Sequence, residues 1–228
     1  ASMGTLIASE TKERAYEVYK RVDFINYWLY TFTATCLLCL VEPFVAIWLG
    51  QDFVLTKTIL ILAVAIYYFK GINSGIDIAK NAAGLYYPDR FIPMAEAIAN
   101  MVISIVLAKR YGIAGVLFGT LVSFLALSFW AKPYFVCRDV FEVSFARYAV
   151  REGREIVVSV LVAAGTWYAV SLVSLENVLL SFGVKALLAL ALSNGLLLLV
   201  YFKTSEFQYL RGLLESAANR IGKRKKHE

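Results

Sequence analysis

The sequence predicts an all-α integral membrane protein, a bundle of six transmembrane helices. Three observations predict it. Of the 228 residues 60% are hydrophobic and only 18% charged, and the mean hydropathy is +0.65, whereas a soluble domain carries about a quarter charged residues. The apolar residues fall in continuous runs and lack the period-two alternation of a membrane barrel strand. Six of the runs reach the ~20 residues that a helix needs to cross a hydrocarbon core about 30 Å thick.

The elements follow in chain order. Residues 1–23 are polar and charged, carry no signal-peptide pattern, and form a cytoplasmic amphipathic link. Ala15, Val18, Tyr19 and Val22 share one face there, which suits a helix lying on the membrane surface or an ordinary solvated one. Four spans occupy 24–131, at about 24–48, 56–80, 92–109 and 113–131. Glu42-Pro43 is expected to mark a break near the end of the first. Pro93 suits the first turn of the third. The short link KRYGIAG makes the third and fourth an antiparallel hairpin. Residues 132–155 form a cytoplasmic loop, and two more spans follow at about 156–175 and 178–202. The basic tail 203–228 closes the chain, with a second amphipathic stretch at 206–221. Gly71 with Gly75, and Gly115 with Gly119, have the four-residue spacing that lets helices approach closely.

Charge sets the orientation. Segments 1–23, 80–91, 132–155 and 203–228 hold 18 of the 23 lysines and arginines, against three (Lys57, Lys109, Arg110) on the other side. The positive-inside bias therefore puts both ends of the chain in the cytoplasm. The net charge of +6 has the same origin, and the tail GKRKKHE reads as an anchor on anionic lipid and not as a nucleic-acid patch. Cys36 and Cys39 read as small apolar residues of the first span, and Cys137 as a reduced thiol.

Polar residues inside the spans are the candidates for function. Lys70, Asn73 and Asp77 recur at helical spacing in YYFKGINSGIDIAKNAAG and share a face. Lys70 falls about 15 Å from the cytoplasmic end of its span, near the midplane. A charge at that depth costs about 2.5–3.5 kcal/mol even on insertion scales, so the face is expected to border a bundle interior or a wet cavity. Lys70 and Asp77 stand two turns apart, roughly 10 Å along the axis, and each needs a partner elsewhere. Glu96 and Asn100 share a face of the third span; Glu96 either pairs with a base of the second span or ends in the interface. Lys185 lies early in the last span, where it lines the cavity or snorkels outward.

Catalytic constellations are missing from the sequence. The single histidine is His227 in the tail, and no glycine-rich phosphate loop or G-x-S-x-G is present, so an enzyme and a cofactor are not expected.

PFVAIWLG (43–50), NAAGLYYPDRFIPMAEAIANMVISIVLAKRYGIAGVLFGT (81–120) and FWAKPYFVCRDVF (129–141) together resemble the Wzx-type polysaccharide (O-antigen and capsule) flippases of the MOP superfamily, which also holds MATE exporters. The resemblance covers nearly the whole chain and is closest over 1–141. It implies one lobe, the distal six helices, of a two-lobed transporter in the bacterial cytoplasmic membrane, and the chain is expected to be the C-terminal part of a longer protein. It implies a cargo of undecaprenyl-diphosphate-linked oligosaccharide. The implied partners are that lipid-linked oligosaccharide, membrane lipids, the N-terminal lobe, and polysaccharide polymerase and assembly proteins, with no nucleic acid. On this resemblance Lys70 meets the diphosphate, Asp77 and Glu96 take part in proton or cation coupling, and Asn73 and Asn100 hydrogen-bond sugars. A cation-coupled MATE-like exporter and a non-transporting scaffold of a polysaccharide assembly complex are the alternatives.

Overall fold

The computed structural model describes residues 3–212, whose regular structure is all helical, with no strand among them. Helix α1 spans Met3–Ser9, α2 Lys12–Trp48, α3 Lys57–Ala82, α4 Ile92–Tyr111, α5 Ile113–Ala126, α6 Ser128–Val136, α7 Phe145–Ser171 and α8 Val178–Tyr201. Among the described residues six helical segments are long and apolar enough to cross a membrane: α2, α3, α4, the α5–α6 run to Phe141, α7 and α8.

Helix α2 begins with a side-chain cap. Thr11 is extended, and its hydroxyl accepts from the Arg14 amide at 3.4 Å, satisfying one of the amides a helix start leaves open. The helix then runs 37 residues, roughly 55 Å at 1.5 Å per residue. That exceeds a hydrocarbon core of about 30 Å, so the stretch read as a separate link is the first turns of the spanning helix. Its Ala15 and Tyr19 are 1% exposed. Tyr19 packs on Phe141 at 5.1 Å between ring centroids, so this face covers protein and not a membrane surface. Nor does Glu42-Pro43 break the helix, which continues to Trp48. Pro43 removes one backbone hydrogen bond, and the turns beyond it still close.

The hairpin between α4 and α5 turns on Gly112 alone, at φ +58°, where glycine carries no Cβ penalty. A Cβ at Gly115 would strike the Leu107 carbonyl, and one at Gly119 the backbone of Ser104. The two helices therefore touch backbone to backbone. Helix α4 buries none of its residues and exposes Met94, Ile98, Met101, Val102, Ile105 and Val106. An apolar face of this extent is foreign to a soluble monomer and suits lipid.

The stretch read as loop 132–155 is mostly helical. Helix α6 continues through Pro133 into one π turn at Cys137–Phe141, ends at Glu142 with φ +55°, and α7 starts at Phe145. Its charges misled the reading, because Lys132 and Arg151 find partners inside the chain. Beyond α8 the chain is helical again from 205 to 212, with Phe207 stacked on Trp28 at 5.8 Å. The rest of the second amphipathic stretch and the GKRKKHE tail lie outside the described residues.

The core is uneven along the bundle. One dense cluster joins Tyr16, Tyr19, Ile76, Val136, Phe141 and Tyr148 at the end where α2 begins. A second fills the middle with Phe24, Tyr27, Tyr68, Ile72, Phe129 and Leu197. At the far end, among the described residues, Cys39, Val170 and Ala189 form a small buried group. This thinning leaves space between α2, α3 and α7. Cys36 and Cys39 pack there as apolar groups, Cys137 does so in the first cluster, and all three are free thiols.

Candidate functional site

Five of the six polar residues singled out from sequence meet the α5–α6 run. Helices α3 and α4 flank that run, so polar faces at 70–77 and 96–100 converge on it. Lys70 stands near the middle of α3, is exposed, and holds its ammonium 5.7 Å from the Phe124 ring centroid. It makes no ion pair among the described residues. Asn73 is 1% exposed and donates through Nδ2 to the Phe129 carbonyl at 3.2 Å, while its Oδ1 has no partner. Asp77 accepts from Lys132 Nζ at 2.9 and 3.2 Å through its two oxygens. That lysine is the partner the two-turn gap from Lys70 required. Glu96 accepts from the Ser128 hydroxyl, not from a base of α3. Asn100 Oδ1 accepts from Ser104 at 2.8 Å and Thr120 at 3.3 Å. Lys185, on α8, lies apart from this group and lines a polar pocket at the mouth of a second space.

The close approach of α2 and α3 explains the glycines of YYFKGINSGIDIAKNAAG. A Cβ at Gly71 would fall into the Tyr30 ring, and one at Gly75 onto Asp23 Oδ1. Asn26 uses the same contact. Its Nδ2 donates to the Gly71 carbonyl at 3.0 Å and to Ser74 Oγ at 3.2 Å. On the opposite face of α2, Trp28 Nε1 donates to Asn194 Oδ1 of α8 at 3.0 Å.

A buried ionic cluster joins α2 to α7. Arg151 donates to Asp23, and its Nε lies 3.8 Å from Glu155. Asp23, Glu152 and Glu155 are 5%, 3% and 5% exposed, and each offers an oxygen within 4.8 Å of the others. A cation entering here would compete with the Arg151 guanidinium for those oxygens. The guanidinium also lies 5.8 Å from the Tyr19 ring centroid and 5.5 Å from that of Tyr148. Tyr19 Oη is buried without a hydrogen bond. Sequence reading missed this cluster. The i, i+4 spacing of Arg151 and Glu155 was visible, but Asp23 lies 128 residues from Arg151.

The second space is a wedge of about 310 Å³ between α3 and α7, floored by α2. Helices α3 and α7 are not packed along their lengths. At mid-bundle they are tied by hydroxyls, with Tyr68 donating to Ser159 at 2.8 Å and Ser159 paired with Thr31 at 2.7 Å. From this clasp the wedge runs to the end of the bundle where α3 begins. Leu38, Leu60, Val64 and Ala163 line it, and Glu42, Lys57 and Trp167 stand at its mouth. A more polar pocket of the same volume, about 310 Å³, continues outward over Gln51 and Lys185.

No family model, curated protein or solved structure matches this chain. The chemistry available must therefore be judged from these sites themselves. They offer an exposed cation in an apolar helix, a locked ionic cluster and an amphiphilic wedge. None of the three joins a nucleophile to a base and an oxyanion pocket, the geometry that acyl or phosphoryl transfer needs.

Proposed function

We propose that this chain is the distal lobe of a bacterial transporter that flips undecaprenyl-diphosphate-linked oligosaccharide across the cytoplasmic membrane. The observation that carries this reading is Lys70. An exposed ammonium at the middle of a 26-residue apolar helix is costly against lipid and stable against water or an anion. Its contact with Phe124 gives partial compensation, and an anionic diphosphate supplies the rest when cargo arrives. The resemblance over 43–50, 81–120 and 129–141 points to the same cargo. In this reading α3 faces the proximal lobe across the transport path, both ends of this chain lie in the cytoplasm, and alternating access moves one lobe against the other. Polysaccharide polymerase and assembly proteins would receive the cargo.

The full-length gene is expected to restore polysaccharide export in a flippase-null strain. Lys70→Ala is expected to lose that export at normal protein abundance, and Lys70→Arg to keep part of it. Failure of the wild-type gene to restore export, together with new drug resistance, favours the MATE-like exporter. That rival draws on one observation, the three buried carboxylates beside Arg151. Export unchanged in Lys70→Ala returns Lys70 to a packing role.

A further inference from the structure

The wedge between α3 and α7 has one polar end and one apolar length. We propose that it binds an anionic phospholipid, with one acyl chain in the wedge and the phosphate at Lys57 and Lys185.

The dimensions suit a single chain. The floor runs along α2 from Thr31 to Glu42, which is roughly 16 Å at 1.5 Å per residue. That is about half of a hydrocarbon core of ~30 Å, the depth of one leaflet. The walls are Leu38, Leu60, Val64 and Ala163, and a cavity so lined does not hold ordered water. The Tyr68–Ser159–Thr31 clasp closes the deep end. Its hydroxyls are spent on one another, so the floor there presents little that a polar ligand could use.

The mouth selects the head group. Lys57 and Lys185 face one carboxylate, Glu42, across the outer pocket. None of the three makes an ion pair among the described residues. The local balance of one positive charge suits a phosphodiester and is indifferent to a zwitterion. Lys57 holds its ammonium 5.8 Å from the Trp167 ring centroid, and tryptophan at this level is the side chain of the membrane interface. A free phosphate would use the lysines and leave the wedge empty. A neutral lipid would fill the wedge and leave the lysines uncompensated. An anionic lipid satisfies both.

This inference rests on membrane insertion and does not depend on the cargo. The full-length protein is reconstituted in nanodiscs of equal phosphatidylglycerol and phosphatidylcholine, extracted gently, and its retained lipid counted by native mass spectrometry. Wild type is expected to retain phosphatidylglycerol in preference. Lys57→Gln and Lys185→Gln are each expected to weaken that preference about five-fold. Ala163→Phe and Val64→Phe, checked for folding by thermal unfolding, are expected to lose retained lipid of both kinds. Excess inorganic phosphate is expected not to displace it. Equal retention of the two lipids by wild type overturns the proposal. So does an unchanged preference in the lysine variants, retention unchanged in both filled variants, or full displacement by phosphate. Polysaccharide export by the Lys70 variants reads the flippase proposal separately, so the two can fail independently.

Discussion

Arg151 of α7 donates to the buried carboxylate of Asp23 on α2, two residues 128 apart in sequence. It also pairs with Glu155, and Glu152 lies alongside, so one guanidinium stands among three buried carboxylates. Removing one partner of such a group leaves uncompensated charge in a low dielectric, which costs far more than the pair itself contributes. Arg151→Met is therefore expected to destabilise the protein by about 3–5 kcal/mol, read as a large fall in the thermal unfolding midpoint in detergent. The double variant Asp23→Asn with Arg151→Met is expected to recover part of the loss.

Asp77 and Lys132 make the opposite case. Their side chains are 41% and 17% exposed, so in the wet cavity expected beside α3 water screens the pair and little is lost with it. A double-mutant cycle on Asp77→Asn and Lys132→Gln is expected to give a coupling of about 0–1 kcal/mol. A coupling as large as that of the Asp23–Arg151 pair would mean that Asp77 is sealed from solvent.

The glycines of α3 are placed for contact. Gly71→Ala sets a methyl into the Tyr30 ring, and Gly75→Ala sets one onto Asp23. Each is expected to destabilise by about 1–3 kcal/mol, the usual cost of overpacking. Gly183 in α8 has nothing within 4 Å of a built Cβ. Gly183→Ala is thus expected to be neutral or stabilising by up to about 1 kcal/mol through helix propensity. Thermal unfolding of the three variants side by side checks the contrast.

The hydroxyl clasp ties α3 to α7 at one point. Ser159→Ala removes the partner of both Tyr68 and Thr31 and strands two buried hydroxyls. The expected loss is about 1–3 kcal/mol. Tyr68→Phe removes one donor and strands nothing comparable, so a loss of roughly 0.6 kcal/mol is expected, typical of hydrogen bonds inside membrane bundles. Equal losses in the two variants would show that the clasp does not act through Ser159.

Much of the architecture is legible in the sequence. The six apolar runs appear as six helical segments able to cross a membrane, because run length and continuity alone decide whether a helix can span a bilayer. The hairpin at Gly112 and the close-packing glycines were legible too, since each depends on one residue lacking a Cβ. The charged stretches were harder. Residues 12–23 and 132–155 looked like links and loops because their charges would be solvated in isolation. Ala15 and Tyr19 are instead covered by Phe141 and Tyr148, and Arg151 by Asp23.

Composition and periodicity determine, from local terms, which segments are helical, which are apolar enough for lipid and where Lys70, Asn73 and Asp77 fall on one face. Partnership is not a local term. That Asp77 meets Lys132, that Glu96 meets Ser128 and that Asp23 meets Arg151 depends on which helices pack side by side. A helix face carries the same residues whichever neighbour it turns toward. The wedge is the extreme case, because no residue encodes it. It exists where α3 and α7, joined at Tyr68 and Ser159, are held apart by α2, and only the packing of three helices creates that space.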